Sequence, residues 1–207
     1  MRSIQLVLGM YQTNCYILTE NDRTCVLIDP AGDEKKLLHQ LETRNLTPEA
    51  ILLTHGHYDH ILAIPAIQSR WSDVPVYCHT ADCPEELTER DMGQVFPTVS
   101  AFQNLRPLQD SQVIHAADMS IKVLTTPGHT PGSVTFQVAG ALYTGDTLFY
   151  LSIGRTDFAG GSYPQIQDSL NKLSALPGDY HVFSGHGPAT SLEFERRNNP
   201  YMKEAIR

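Results

Sequence analysis

Three histidines and an aspartate stand within six consecutive positions, His55, His57, Asp59 and His60, with Gly56 and Tyr58 between them. Neutral imidazole and carboxylate are the ligands that divalent zinc, iron and manganese accept. Alternate side chains of an extended loop face the same way, so His55 and His57 can grip one ion while Asp59 and His60, turning into a helix, grip another. The run Ala50-Ile51-Leu52-Leu53 ahead of them reads as a buried strand. The cluster therefore sits on the loop that leaves that strand's C-terminal end.

Three more segments repeat this arrangement of an apolar strand followed by a loop with one strong ligand. Val123-Leu124-Thr125-Thr126 runs into Pro127-Gly128-His129-Thr130, Ala141-Leu142-Tyr143-Thr144 into Gly145-Asp146, and Val182-Phe183-Ser184 into Gly185-His186-Gly187. Each ligand follows a glycine, which lets the backbone turn sharply and approach an ion with no side chain in the way. A lone Gly-His in a loop is more often a turn than a ligand. The weight lies in the repetition along one chain.

The set resembles the metallo-β-lactamase superfamily, whose THxHxDH motif, single His, single Asp and final His match Thr54-His55-Gly56-His57-Tyr58-Asp59-His60, His129, Asp146 and His186. The flanks Thr126-Pro127-Gly128-His129-Thr130-Pro131-Gly132-Ser133, Thr144-Gly145-Asp146-Thr147-Leu148-Phe149 and Gly154-Arg155-Thr156-Asp157 look most like type II glyoxalases, the hydroxyacylglutathione hydrolases. The likeness runs over about residues 1–190. Two-domain glyoxalases carry a C-terminal helical extension that helps bind glutathione, and this chain resembles instead the short single-domain branch.

The resemblance implies an α/β (α+β) chain folded as a four-layer αββα sandwich, one domain over residues 1–207 with terminal helices at about 191–207. It implies that His55, His57 and His129 hold one metal, that Asp59, His60 and His186 hold a second, and that Asp146 bridges them. Zinc is the first expectation for both ions, with iron or manganese as alternatives. Such a pair lowers the pKa of a shared water from near 15.7 toward about 7, making hydroxide available to attack a thioester carbonyl. Asp59 and Asp146 are the expected catalytic carboxylates, Asp59 also as a base or orienter. The thiolate leaving group, with a pKa near 8.5, needs little acid help. The expected reaction is hydrolysis of S-lactoylglutathione or a related hydroxyacyl thioester. A mononuclear iron persulfide dioxygenase, a lactonase and a non-catalytic metal module are the alternatives on the same residues.

Substrate contacts are expected from Arg155, Tyr58 and Phe149. Arg155 has two readings, a bidentate fork for a substrate carboxylate or a pair with Asp157 that holds its loop, and the second is preferred. His39, His79, His115 and His181 match no ligand position and read as exposed or hydrogen-bonded residues.

The elements that must position these residues are legible in outline. Strand signals at Ile4–Leu8, Cys15–Thr19 and Cys25–Asp29 precede a helical run from Asp33 to Arg44, and a helix-like segment spans Ile61–Arg70. Val76–Cys78, Gln112–His115, Ile121–Thr125, Ser133–Val138, Ala141–Tyr143 and Tyr180–Phe183 read as further strands, with an Ala139-Gly140 turn and a Pro164-led helix toward Leu173. Short helices are expected between Ala81 and Arg106. Strand-rich runs flanked by helices predict two packed sheets with helices outside them.

At 207 residues the chain can bury a core as one domain. A formal charge of −8 argues against nucleic-acid or anionic-membrane partners, both of which need a basic footprint. The expected partner is a small-molecule thioester, with the protein a monomer or small homo-oligomer. The start, Met1 to Met10, has too short an apolar stretch for a signal peptide, which predicts a cytoplasmic protein. Cys15, Cys25, Cys78 and Cys83 lack CxxC spacing and are expected to be buried free thiols.

Overall fold

A computed structural model describes residues 1–83 and 103–205. The first sheet is built from β1 (Arg2–Leu8), β2 (Thr13–Thr19), β3 (Thr24–Ile28), β4 (Thr47–Leu52), β5 (Val76–Cys78) and β6 (Leu105–Pro107), adjacent in that order. Its first three strands are antiparallel. From β3 onward the strands run parallel, a pairing that needs long crossover connections rather than tight turns. Helix α1 (Glu34–Thr43) links β3 to β4, and α2 (Ile64–Gln68) lies between β4 and β5.

The second sheet contains β7 (Val113–Ala116), β8 (Met119–Thr125), β9 (Val134–Val138) and β10 (Ala141–Gly145). After β10 come a two-stranded hairpin, β11 (Leu148–Phe149) with β12 (Ser152–Ile153), and helix α3 (Tyr163–Ser174). The chain then adds β13 (His181–Ser184) and β14 (Thr190–Ser191) and closes with α4 (Leu192–Asn198) and α5 (Pro200–Ala205). The order across this sheet is β14-β13-β10-β9-β8-β7. No helix among the described residues is long and apolar enough to cross a membrane.

Side-chain alternation turns the sheets into layers. Cys25, Leu27 and Ile51 face α1 and α2, where Leu37, Leu41, Ile64 and Ile67 meet them. Their neighbours Val26, Ile28, Ala50 and Leu52 point the other way, onto Val123, Val134, Phe136 and Tyr143 of the second sheet. Leu124, Leu142 and Val182 then point outward onto Leu170 and Leu173 of α3, Leu192 and Met202. Both faces of each sheet are thus covered, which is why these strands read as near-continuous apolar runs. The result is the αββα sandwich that the sequence implied.

The differences from the sequence reading are local. Pro65 sits in the first turn of α2, where a proline favours a helix start, and the helix spans only Ile64–Gln68, shorter than the expected Ile61–Arg70. β4 begins at Thr47 rather than Ala50, tolerating Pro48 where its register against β3 shifts. The Ala139-Gly140 turn has positive φ at both positions, 46° and 78°, as a tight two-residue hairpin needs. The short helices expected between Ala81 and Arg106 fall mostly on residues 84–102, outside the described residues. The free-thiol expectation is corrected for two cysteines: Cys78 and Cys83 form a disulfide, while Cys15 and Cys25 remain free and buried. After β5 the amides of Asp82 and Cys83 both bond to the carbonyl of His79, and this tight turn brings the two sulfurs together.

Candidate metal centre

β8, β10 and β13 point the same way, because β8 and β10 are each antiparallel to β9 and β13 is parallel to β10. Their loops therefore leave from one edge of the sheet, carrying His129, Asp146 and His186. The loop after β4 brings His55, His57, Asp59 and His60 to the same edge from the first sheet. A backbone bond from the Val134 amide to the Thr54 carbonyl, 2.8 Å, ties the two sheets there.

The structure brings all these side chains into one cluster. His57 Nδ1 lies 3.1 Å from His55 Nε2 and 2.9 Å from His129 Nε2. A tetrahedral ion with bonds of about 2.0–2.1 Å spaces its nitrogen ligands about 3.3 Å apart, close to what these three show. Asp59 Oδ2 lies 3.7 Å from His60 Nε2 and 3.4 Å from His186 Nε2, forming a second group. Asp146 faces both: its Oδ2 is 3.5 Å from His129 Nε2 and 3.6 Å from His186 Nε2, and its Oδ1 is 3.6 Å from His60 Nε2. His55, His57 and His129 could hold one ion and Asp59, His60 and His186 another, while His55, His60 and Asp146 make a third overlapping group.

Partners behind the rings decide which nitrogen faces the cluster. Asp29, 1% exposed, accepts from the Thr54 amide at 2.8 Å and the Thr54 hydroxyl at 2.6 Å, and lies 3.0 Å from His60 Nδ1. The Thr54 hydroxyl has one hydrogen and gives it to Asp29. It must then accept from His55 Nδ1, 3.0 Å away. His129 Nδ1 donates to the Arg155 carbonyl at 2.7 Å, and His186 Nδ1 to the Tyr11 carbonyl at 3.2 Å. These bonds assign Nδ1–H to four rings and turn each Nε2 toward the cluster, the orientation a metal ligand requires.

The electrostatics favour a cation. Burial, followed by the neighbouring imidazoles, holds His55 well below the ordinary histidine range, and the same causes bring His57 to about 4. Both are neutral and ready to ligate at neutral pH. Burial opposes charge on His60 as well, but Asp146 and Asp29 outweigh it and raise the group to about 9. His186 is raised against burial by its bond to Asp59 and by Asp146. Burial would raise Asp59, yet the bond from His186 and the charge of His60 hold it below the usual carboxylate range.

Two buried atoms at the heart of the cluster, His60 Nε2 and Asp146 Oδ1, have no hydrogen-bond partner. Leaving such atoms unmatched costs about 1–3 kcal/mol each, and an ion between them removes that cost. Gly185 keeps the space clear, since a Cβ there would stand 2.2 Å from Asp146 Oδ1 and 2.8 Å from His60 Cε1. The residues present therefore fit a bound metal.

Several contributors had no signal in the ligand pattern. Asp82, just after β5, accepts from the Gly56 amide at 3.0 Å, the Thr130 hydroxyl at 2.6 Å and the Gly132 amide at 2.8 Å, so one carboxylate fastens the His55 loop to the His129 loop. Asn14 and Tyr16 of β2 anchor the loop of His186: Asn14 Nδ2 donates to the Ser184 and Gly187 carbonyls, and the Tyr16 hydroxyl donates to Ser184. Asn14, a polar residue inside an otherwise apolar strand, leaves the one such cue in the sequence, while Asp82 stands in the turn beyond β5.

A cavity of about 700 Å³ opens over the cluster, lined also by Tyr11, Tyr58, Arg155 and Phe158. Arg155 forms a two-pronged pair with Asp157, its Nε and Nη2 donating at 2.9 and 2.7 Å. Phe149 stands edge-on to His186, with ring centres 6.3 Å apart. Burial and a bond with Tyr11 push the Tyr58 phenol above its ordinary range.

Comparison with known proteins agrees with this architecture. The sequence pattern of the Metallo-beta-lactamase superfamily matches residues 8–186. Hydroxyacylglutathione hydrolase GloC of Haemophilus influenzae is 31% identical over 199 residues, covering 93% of each chain. Among solved structures, the BLEG-1 B3 metallo-beta-lactamase is 36% identical with a TM-score of 0.86, over 97% of this chain and 99% of that one. TTHA1623, solved in a di-iron-bound form, is also 36% identical, with a TM-score of 0.83 over 96% and 99% of the two chains. With its sheets, its four ligand-bearing loops and its His/Asp cluster on one edge, this chain belongs to the metallo-β-lactamase superfamily, as a metallohydrolase.

Proposed function

We propose that the protein is a dinuclear metal-dependent hydrolase of hydroxyacyl thioesters. The observation that carries this reading is Asp146, whose two oxygens face both ligand groups from the floor of one cavity. His55, His57 and His129 would hold the first ion, Asp59, His60 and His186 the second, and Asp146 both. Nitrogen and oxygen donors without thiolate suit zinc first, then iron or manganese; the di-iron form of TTHA1623 supports iron as the alternative. When bound, the ions supply Lewis acidity, polarising a carbonyl and acidifying a water.

The chain's own residues supply the rest. The bonds from Asp29, Thr54, Arg155 and Tyr11 hold four imidazoles in ligating orientation without rearrangement during the reaction. Asp59, kept ionised and also bonded to the Thr13 hydroxyl at 3.1 Å, orients the attacking water by accepting its hydrogen bond. Outside the cluster the titratable side chains lining the cavity are Tyr11, Tyr58 and Arg155, two phenols, of which Tyr58 is pushed above the ordinary range, and a permanently charged guanidinium, so the lining offers only weak proton donors. A leaving group that departs unprotonated fits such a cavity, and thiolate does so where an amine or alkoxide does not. The likeness to GloC supports the same class. The likeness to BLEG-1 favours β-lactam hydrolysis as a second reading on the same residues.

The test is elemental analysis of protein purified without added metal, run beside hydrolysis of S-lactoylglutathione, the lactoyl thioester of N-acetylcysteamine, and nitrocefin. Two equivalents of metal with thioester turnover is the expected result. Turnover of nitrocefin alone would move the assignment to the second reading, and one equivalent would remove the dinuclear centre.

A further inference from the structure

The walls of the cavity are aromatic, and they flank both ligand groups. Phe158 stands edge-on to His57 and His129, with ring centres 5.8 and 6.2 Å away. On the other side Tyr11, whose carbonyl holds His186, packs edge-on against Tyr58 at 5.6 Å. Tyr11 and Phe158 remain 44% and 45% exposed. Aromatic area of this size left open beside a reactive centre is surface that a ligand can cover.

The charge in the same walls points the same way. Arg155 is the one lysine or arginine lining the cavity among the described residues. Both prongs of its fork go to Asp157, and its guanidinium carbon sits over the Phe158 ring, 4.3 Å from the ring centre. Its charge is paired with Asp157, and the Phe158 ring lies beneath its guanidinium. A glutathione arm carries two carboxylates, and outside the metal cluster the described residues of these walls offer it a single guanidinium, which is already paired with Asp157.

Resting on the thioesterase reading above, we propose that the thiol arm taken by this cavity is uncharged and apolar, of the aryl or arylalkyl class, seated between Phe158 and the Tyr11-Tyr58 pair. The reaction is unchanged: water adds its oxygen to the carbonyl carbon, the C–S bond breaks with its electron pair leaving on sulfur, and one proton ends on the thiol. What the walls select is the group beyond sulfur. Phe158 and Tyr11 are then specificity residues, and Arg155 is the support on which Phe158 rests.

The experiment compares kcat/KM of the metal-loaded protein for three lactoyl thioesters, carried on 2-phenylethanethiol, N-acetylcysteamine and glutathione. The phenylethyl thioester is expected to exceed S-lactoylglutathione at least tenfold. In Phe158→Ala and Tyr11→Ala that ratio is expected to fall below threefold, through a higher KM for the phenylethyl thioester, with metal content retained. S-lactoylglutathione matching or exceeding the phenylethyl thioester would overturn the proposal while leaving the thioesterase reading in place. An undiminished ratio in both variants would overturn the assignment to these walls. Failure to hydrolyse any of the three would instead remove the thioesterase reading itself.

Discussion

Asp29 Oδ2 lies 3.0 Å from His60 Nδ1 and accepts the Thr54 hydroxyl at 2.6 Å, and that hydroxyl in turn is 3.0 Å from His55 Nδ1. One buried carboxylate thus sets the orientation of a histidine in each ligand group. Its position follows from register: β3 and β4 run parallel with Ile28 beside Leu52, so the residue after one strand meets the loop after the other.

Asp29→Asn tests this relationship. The amide keeps the shape but removes the charge that favours a cation and, in one of its two orientations, turns a donor toward His60. Partners of this kind typically contribute 10–100-fold to metal affinity, and a loss of about that size is expected for both ions together. Chelator competition followed by elemental analysis reads it. Loss confined to one ion would contradict the shared role of Asp29.

The ligand residues were legible because they either gather in one six-residue run after an apolar strand or stand directly after a glycine at a strand's end. His129, Asp146 and His186 all follow Gly-flanked strand ends, and their meeting at one edge follows from the strand directions of the second sheet. Asp29 was not legible as a site residue, because in the sequence it only closes the Cys25–Asp29 strand signal, and its partners Thr54 and His60 lie far along the chain. Asp82 was hidden for a related reason, since its value lies in joining two loops far apart in the chain, through Gly56 and Gly132. The β11-β12 hairpin has strands of two residues each, too short for any periodicity. The Cys78–Cys83 bridge depends on a tight turn at His79 that no spacing rule anticipates.

Asp146 and His186 make a contrasting pair of predictions. Asp146→Asn removes the one negative charge that faces both ligand groups, so both ions should weaken and turnover should fall by at least about 100-fold. His186→Ala removes a ligand from the second group alone, and the expected product is a protein retaining one ion. Metal stoichiometry measured alongside thioester turnover separates them. Equal depletion of both ions in His186→Ala would contradict the division into two groups.

Gly185 gives a steric test that alters no ligand. Its amide bonds to the Gly145 carbonyl at 2.8 Å, and an added Cβ would fall 2.2 Å from Asp146 Oδ1 and 2.8 Å from His60 Cε1. Gly185→Ala should therefore displace Asp146 and lower metal affinity by at least about tenfold. The far-UV circular dichroism of the fold should persist. Wild-type metal content in this variant would mean that Asp146 can shift without losing an ion.

The last prediction concerns the support behind the His129 loop. Asp110 Oδ1 accepts from the Thr125 amide at 2.8 Å, the Thr125 hydroxyl at 3.0 Å and Lys172 Nζ at 2.6 Å, tying the end of β8 to α3 just ahead of the His129 loop. Burial opposes the charge on Asp110, but Lys172 and the Thr125 donors outweigh it and bring the carboxyl down to about 2. The unfolded chain, with an aspartate pKa near 3.9, takes up the proton first as pH falls. The stability this group contributes is therefore complete above about pH 5 and is lost progressively as pH drops through 4 toward about 2. Asp110→Asn has no such group, so the stability difference between wild type and variant should hold steady from pH 7 to 5 and shrink between pH 4 and 3. Urea unfolding of the metal-free protein at those values measures it without interference from metal release. A gap that widens in acid would show that Asp110 is not held ionised by Lys172.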